Sequence, residues 1–271
     1  MALFEIPFIK YHGLGNDYIV LEQADLGGRT PGNVARAICD RHYGAGSDGI
    51  LVNESTPDGF ALRIFNPDGS LAEKSGNGLR IFARYLYDNK RVGAQPFGVR
   101  TPGGDVTCLV QKDGAQVVVD MGRVRFDEIN ARMVLGGEEL RYSFVSLGNP
   151  HCVVLRDDVN YSDAVRLGPL VENAPRFPNR TNVQFLKALD RANIQIEIWE
   201  RGASYTLASG SSSCAAAAVA RKLGLCDSNI TAHMPGGQLS IQLDDEYNAR
   251  LIGPVVPVCK GVFFIAPDGN R

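Results

Sequence analysis

The sequence lacks the features that define several large classes of protein. Its six cysteines form no Cys-x-x-Cys pair and no metal-ligand spacing with the four histidines, so we expect no bound metal. No apolar run approaches the roughly 18 residues of a membrane span. The first ten residues carry an acid and a proline, unlike the basic and apolar segments of a signal peptide. The net charge of −2 gives no basic surface for nucleic acid. We therefore expect a cytoplasmic protein with reduced cysteines and no membrane or nucleic-acid partner.

Two catalytic motifs are incomplete. The segment Tyr11–Asp17 has two glycines but no third at dinucleotide spacing, which argues against nucleotide binding. Ala208-Ser-Gly lacks the Gly-x-Ser-x-Gly elbow of the serine hydrolases. A hydrolase that uses Ser209 as its nucleophile is therefore a disfavoured alternative, which labelling of Ser209 by a fluorophosphonate probe would revive.

The sequence does contain many strand patterns and few helical ones, which predicts an α+β fold. Helical patterns cover residues 30–40, 78–89 and 212–223. Strand patterns cover residues 49–52, 61–65, 116–121, 142–147, 151–155, 194–199 and 238–243.

The sequence contains an internal repeat of a strand followed by a helix. In the first copy a strand ends at Asn66, and nine positions later Ser75 begins a Ser-Gly pair and a helix. In the second copy Glu200 and Ser209 hold the same places at the same spacing. The repeat predicts two halves of similar build with a site between them, and a boundary in the polar stretch 114–130.

Each Ser-Gly pair opens a helix, and helix starts present backbone N–H donors and the positive end of the helix dipole. Gly76 and Asn77 follow the first serine, and Gly210 and Ser211 follow the second. Two such starts that face one cleft would bind a carboxylate and stabilise negative charge on it. The alternative is that each serine serves only as an N-cap.

Three further side chains can bind or move protons. His151 follows the turn Gly148-Asn-Pro, and histidine titrates near neutral pH. Glu200 and Arg201 lie together at a strand end. A structural histidine and a surface ion pair are the alternatives at these positions.

Taken in order, these residues resemble the diaminopimelate epimerase family almost from end to end. The matching blocks are His12–Tyr18, Asp40–Gly49, Phe65–Ser70, Gly76–Arg80, Gly148–Cys152, Thr181–Val183, Glu200–Gly202, Pro235–Gly237 and Gly253–Pro254. The resemblance implies an isomerase without pyridoxal phosphate, metal or other cofactor, and commonly a homodimer. It also implies two pseudo-symmetric halves, residues 1–118 and 119–271, each with a mixed or antiparallel sheet wrapped around a central helix. The resemblance also allows the last strand of the chain to pair with the sheet of the first half.

The family removes and returns a Cα proton with a pair of cysteines, and in this sequence the two positions are Ser75 and Ser209. A thiol is readily activated near neutral pH, whereas a serine hydroxyl needs a partner base within hydrogen-bonding distance. The resemblance implies His151 as the partner of Ser75 and Glu200 as the partner of Ser209. These four are the candidate proton-handling residues, on a substrate whose C–H bond is preferably more acidic than that of an ordinary amino acid.

By resemblance, this sequence retains the residues with which the family binds its substrate. By resemblance they predict a small zwitterionic amino acid or derivative with a polar distal end, bound by a guanidinium fork and oriented amides. The candidate substrate-binding residues are Asn16, Asn66, Gly76, Asn77, Asn149, Asn182, Arg201, Gly210 and Ser211. Lys74 beside the first serine is either a proton carrier or a solvent-exposed side chain.

Two alternatives to an active isomerase stay open. One is a paralogue that binds an amino acid without turnover. The other is a diaminopimelate epimerase inactivated by deliberate cysteine-to-serine changes. Further departures from the family pattern at Lys74, Tyr205, Ser212 and Ser213 favour natural divergence over engineering.

Overall fold

The computed structural model describes residues 3–72 and 75–266. Within these ranges the chain forms four α-helices and eighteen strands. The helices are Pro31–Ile38 (α1), Gly76–Asp88 (α2), Tyr161–Glu172 (α3) and Gly210–Lys222 (α4). None of the described helices is long and apolar enough to cross a membrane.

The chain divides into two compact units: unit 1 is Met1–Val119 with Pro254–Arg271, and unit 2 is Asp120–Gly253. The strands of unit 1 are Phe4–Gly13 (β1), Asn16–Glu22 (β2), Ile50–Asn53 (β3), Phe60–Phe65 (β4), Leu71–Ala72 (β5), Phe97–Thr101 (β6), Gly104–Gln111 (β7), the first part of Gln116–Arg123 (β8) and Val256–Ile265 (β18). Their order is β18, β1, β2, β3, β4, β6, β7, β8, with β5 beside the end of β4. The pairs β2–β3 and β4–β6 are parallel and the others antiparallel.

Unit 2 repeats this order. Its strands are Arg125–Leu135 (β9), Glu138–Ser146 (β10), Pro150–Leu155 (β11), Asn182–Asp190 (β12), Asn193–Glu200 (β13), Ser204–Thr206 (β14), Asn229–Met234 (β15), Gly237–Leu243 (β16) and Asn248–Pro254 (β17). They run β9 to β13, then β15, β16 and β17, with β14 beside the end of β13. The parallel pairs are again the third and fifth, β11–β12 and β13–β15. The α+β class is confirmed.

Each sheet has a helix against either face, because its central strands are buried on both sides. Strand β3 is buried at all four positions. Ile50 and Val52 pack in a core with the residues of α1. Leu51 points the other way, and its Cδ2 lies 3.1 Å from where a Cβ on Gly78 of α2 would be. In unit 2 Val183 and Phe185 pack with α3. The alternate residues of β12 therefore face α4.

Most of the predicted elements are confirmed. The seven strand patterns correspond to β3, β4, β8, β10, β11, β13 and β16, and the three helices to α1, α2 and α4. Helix α3 was missed, because Gly168 and Pro169 near its end resemble a turn in sequence. Gly168 is required there, since a Cβ would lie 2.5 Å from Cγ of Trp199.

Candidate functional site

In unit 1, Ser75 is the N-cap of α2. Its backbone is extended, and its hydroxyl accepts a hydrogen bond from the amide of Gly78 at 3.0 Å. The hydroxyl of Tyr18 lies 3.4 Å from the same oxygen. Tyr18 fits because residue 49 is glycine, where a Cβ would lie 2.8 Å from the tyrosine ring. The Ser-Gly pair therefore opens a helix as predicted, and the Ser75 hydroxyl caps that helix; its part in proton transfer stays a prediction.

The first turn of α2 is joined to β2 by a chain of oriented side chains. Arg80, fully buried, donates to Oδ1 of Asn77 at 2.8 Å. Nδ2 of Asn77 donates to Oδ1 of Asn16 at 2.9 Å, and Nδ2 of Asn16 donates to Asp48 at 2.8 Å. A guanidinium only donates and a carboxylate only accepts. The orientations of the Asn77 and Asn16 amides are therefore fixed. Within this series of hydrogen bonds, Asn16 uses only one of its two amide N–H groups.

Asp48 belongs to a charged cluster beneath Asn16. Arg41 bridges Asp48 and Asp17 at 2.7 and 3.0 Å, and Lys10 pairs with Asp17 at 2.7 Å. Burial raises the pKa of Asp17, but the hydrogen bonds from Lys10 and Arg41 outweigh burial and lower it. Asp17 therefore stays ionised at neutral pH, and the ion pairs of this cluster fix Asp48, which holds the Asn16 amide in place.

Asn66 lies in the turn after β4. Its backbone amide and its Nδ2 both donate to Ser70, at 2.9 Å to the carbonyl and 2.9 Å to the hydroxyl. Its predicted role in substrate binding stays a prediction, and the observed contacts hold the turn between β4 and β5.

In unit 2, Ser209 begins α4 in the same extended conformation, but its side chain makes no capping hydrogen bond. Its carbonyl accepts from the amide of Ser213 at 3.1 Å and from the Ser213 hydroxyl at 2.7 Å. Ser209 is 5% exposed, while Ser212 and Ser213 are fully buried. The two serines that the sequence places in equivalent positions are thus held differently.

His151 is fully buried on β11 between two amide side chains. Its Nε2 lies 3.0 Å from Oδ1 of Asn149, and its Nδ1 lies 3.1 Å from Nε2 of Gln184. Burial is the main cause that lowers the pKa of His151 to about 3, and the nearby charge of Arg201 also lowers it. The imidazole is therefore neutral at physiological pH.

Asn182 connects the start of β12 to two neighbouring segments. Its Nδ2 donates to the carbonyl of Pro150 at 2.9 Å, and its Oδ1 accepts from the backbone amide of Arg201 at 3.0 Å. These backbone partners fix the amide orientation. Arg201 is exposed, and one guanidinium nitrogen donates to the carbonyl of Asn179 at 3.3 Å.

Glu200 and Arg201 follow Trp199 at the end of β13, and a buried carboxylate supports this end. Glu172 of α3 accepts from the indole of Trp199 at 2.7 Å, from the amide of Gly202 at 3.0 Å and from Arg180 at 3.1 Å. Glu200 itself opens the hairpin to β14, where its carbonyl accepts from the amide of Ala203 at 3.1 Å.

None of the six cysteines stands at the start of a helix. All six lie in the described ranges outside disulfides, and only Cys259 is exposed. Burial raises the pKa of Cys39 to about 11 and that of Cys152 well above its usual value, so both are protonated thiols. Among the described residues, no group of three or more His, Cys, Asp or Glu side chains is arranged to hold a metal.

The structure thus assembles the predicted residues in two sets. Unit 1 brings Asn16, Gly76 and Asn77 to the start of α2 beside Ser75. Unit 2 pairs Asn149 with His151 and Asn182 with Arg201, and it places Ser209, Gly210 and Ser211 at the start of α4. The pairings of Ser75 with His151 and of Ser209 with Glu200 stay predictions. Lys74 lies outside the described residues.

Sequence reasoning missed four residues that hold these sets: Tyr18, Arg80, Glu172 and Gln184. Tyr18 and Arg80 carried a signal, since each is the last residue of a matched block. The other two look like ordinary strand or helix residues until the packing is known.

Comparison with known proteins agrees with this architecture. A family model described as diaminopimelate epimerase matches residues 8–126 and 143–258. Diaminopimelate epimerase 2 of Nostoc sp. (strain PCC 7120) is 50% identical over 270 residues, which cover 94% of this chain and 95% of the relative. Diaminopimelate epimerase of Moorella thermoacetica is 38% identical, with coverage of 94% and 98%.

Solved structures share the fold at low sequence identity. A hydroxyproline epimerase from Agrobacterium vitis, with bound trans-4-hydroxy-L-proline, superposes with a TM-score of 0.75 at 16% identity, covering 98% of this chain and 94% of that one. A methylitaconate-delta-isomerase superposes with a TM-score of 0.67 at 13% identity, with coverage of 99% and 97%. These similarities show the fold alone.

Proposed function

The chain belongs to the diaminopimelate epimerase family, and we propose that it moves a proton at the carbon next to the carboxylate of a small polar amino acid or derivative. In this proposal it is an isomerase that works without pyridoxal phosphate, and Ser75 and Ser209 replace the cysteine pair of the family. Family membership over both units carries the proposal. The two serine-led helix starts supply the chemistry.

Helices α2 and α4 suit the binding of a carboxylate. Each begins at an extended serine followed by a glycine; a glycine has no side chain to keep a ligand from the first amides, and the helix dipole favours an anion. Negative charge that develops on the carboxylate when the neighbouring C–H bond breaks is stabilised by the same donors. Arg80 adds a fixed positive charge in the first turn of α2.

The binding amides of the proposed site are held in fixed orientations. Asn16 is oriented by Asn77 and Asp48, and Asn182 by two backbone groups. Each uses one of its two amide N–H groups in these contacts. Side chains fixed by the protein lose little entropy when they bind, which supports recognition of a small zwitterion.

Solvent exchange tests the proposal directly. The protein is incubated in deuterium oxide with meso- and LL-diaminopimelate, histidine, proline and other polar amino acids, and Cα deuterium is measured. Proton transfer introduces deuterium and interconverts stereoisomers in at least one substrate. No exchange in any of them would count heavily against an isomerase.

Restoring the cysteines tests the assignment of the two positions. S75C/S209C is compared with each single cysteine variant and with S75A/S209A, using diaminopimelate epimerisation as the assay. Activity gained only in the double cysteine variant means that the substrate grip is intact and that the serines have replaced or ended the native reaction. Activity in the unchanged protein that S75A/S209A abolishes assigns proton handling to the serines themselves. Activity that survives in S75A/S209A contradicts it.

A binding protein without turnover is the second candidate, and two contacts favour it. The hydroxyl of Ser75 already serves as an N-cap, and the ring of His151 is buried with both nitrogens hydrogen-bonded. Calorimetry that shows tight amino-acid binding, together with no deuterium uptake from that ligand, selects this candidate.

The remaining expectations extend the proposal to the cell. We propose that the protein is a cytoplasmic homodimer. Light scattering on the purified chain and fractionation of its host test these two statements independently of activity.

A further inference from the structure

Two buried polar residues outside the proposed site are connected to His151. Gln184 on β12 contacts the ring directly, and Ser212 on α4 contacts Gln184. Gln184 is fully buried, and its Nε2 lies 3.1 Å from Nδ1 of His151 and 2.9 Å from the hydroxyl oxygen of Ser212. Ser212, also fully buried, stands in the first turn of α4. A chain of contacts therefore runs from α4 through Gln184 and His151 to Asn149.

The geometry restricts where the imidazole carries its proton. A neutral ring has one N–H and one lone pair. With Nε2 of Gln184 facing Nδ1, the lone pair must be on Nδ1, and the proton must be on Nε2, where Oδ1 of Asn149 accepts it at 3.0 Å. The tautomer of His151 thus depends on which way the Gln184 amide points.

The opposite orientation of Gln184 leaves more polar groups without partners. As it stands, one buried atom of this residue, Oε1, has no hydrogen-bond partner. A rotated amide would place its NH2 group in that position and leave two buried N–H donors unsatisfied. Buried N–H groups without partners are rarer and costlier than carbonyls with spare lone pairs. The observed orientation is therefore the more stable one.

We propose that Gln184 is a positioning residue that holds His151 in the Nε2–H tautomer, with Ser212 anchoring the Gln184 amide. This rests on the proposed function only in giving His151 a role at the site. In this state His151 donates a hydrogen bond toward Asn149 and cannot accept a proton at Nδ1, because the amide of Gln184 covers that lone pair. His151 then acts as a hydrogen-bond donor, and not as the base that would activate Ser75.

Nitrogen-15 NMR of the histidine side chains tests this without any substrate. The chain has four histidines, and H151Q assigns the signals of position 151. Long-range correlation spectra distinguish a protonated ring nitrogen from an unprotonated one. The unchanged protein is expected to show a protonated Nε2 and an unprotonated Nδ1 at neutral pH. A protonated Nδ1 overturns the proposal whatever the protein catalyses.

The substitution Q184E is expected to reverse the tautomer of His151. A carboxylate only accepts, so it requires a proton on Nδ1 and frees the lone pair of Nε2. The proton is expected to move completely to Nδ1, and the pKa of His151 is expected to rise, since an adjacent negative charge favours the imidazolium. A proton that stays on Nε2 alone in folded Q184E contradicts the proposal. Arg201 is the charged group whose field reaches this ring, so R201Q in the same background separates its influence.

The chain offers a matched control. His233 lies 2.9 Å from Oδ1 of Asn193 and 3.1 Å from Nε2 of Gln238, the same arrangement at a more exposed position. Q238E should change the tautomer ratio of His233 only in part, because water competes for both nitrogens.

Serine variants test the anchor and cover the case in which Q184E does not fold. S212A should release the Gln184 amide and produce both tautomers of His151. S213A serves as its control, because Ser213 bonds to Ser209 and contacts the sulfur of Met234 instead. Equal His151 spectra in S212A and S213A would remove Ser212 from the proposal.

Discussion

The two serine-led helix starts differ in their capping, and this difference predicts unequal effects of matched substitutions. In S75A, α2 loses the hydrogen bond from the Gly78 amide to the Ser75 hydroxyl. In S209A, α4 loses no side-chain capping bond, and the Ser209 carbonyl still accepts from Ser213. We therefore expect S75A to destabilise its helix and S209A to leave its helix nearly unchanged.

The magnitude follows from the cost of removing an N-cap. Replacing a capping serine by alanine costs about 1 kcal/mol. A free-energy change of that size raises the population of an opened helix start roughly fivefold. For S75A the amide of Gly78 and its neighbours should therefore exchange about five times faster, and peptides from Gly210–Lys222 should be unaffected.

Hydrogen–deuterium exchange measured by mass spectrometry is the appropriate assay, because it reports on each helix separately. A single melting temperature is less informative for a chain of two units, since these need not unfold together. S75D provides the control: aspartate at the N-cap keeps an acceptor for the Gly78 amide and should restore protection. Equal losses of protection in S75A and S209A, or a larger loss at α4, would refute the reasoning.

Three further predictions concern the residues that support the site. G168A should lower the free energy of unfolding, because overpacking against Trp199 costs about 1–3 kcal/mol while alanine returns only about 1 kcal/mol of helix propensity; urea unfolding followed by fluorescence of the sole tryptophan measures it. N77A removes an acceptor of the buried Arg80 and should cost about 1.5–3 kcal/mol, which N77D should partly recover in the same urea assay. The lowered pKa of Asp17 contributes stability that is fully present above its unfolded-state pKa of about 4 and is lost as the pH falls through its lower folded-state pKa, so D17N should reduce stability at pH 7 and flatten the loss of stability as the pH is lowered from about 5; unchanged acid sensitivity would contradict this.

The regular part of the fold was predictable because each element has a local signal. Alternating strands follow from periodicity, helix α4 follows from its run of alanines, the strongest helix formers, and the matched spacing of Asn66–Ser75 and Glu200–Ser209 indicated a repeat. The structure shows the order of elements along the chain that underlies this spacing. In each unit a strand is followed by a short hairpin partner, β5 or β14, and then by a helix, α2 or α4.

The parts that were not predicted depend on contacts between segments distant in sequence. Gln184 lies in a strand whose neighbours are apolar, and its importance comes from facing α4 and His151. Tyr18 reaches Ser75 only because Gly49 leaves room for its ring. No local pattern contains this information, since each contact joins residues more than 25 positions apart.

The difference between Ser75 and Ser209 shows where a sequence repeat stops being informative. The repeat correctly places both serines in extended conformation before a buried glycine, because strand order and helix entry fix the backbone. It does not fix the hydroxyls: that of Ser75 caps α2 and lies beside Tyr18, whereas that of Ser209 makes no capping bond and Ser213 donates to the Ser209 carbonyl instead. Since a serine reacts only when a neighbouring group accepts its proton, two positions that are equivalent in the backbone have different chemical prospects. Evidence that Ser75 and Ser209 share one chemical role must therefore come from the groups around each hydroxyl, because their equal spacing in the sequence fixes only the backbone.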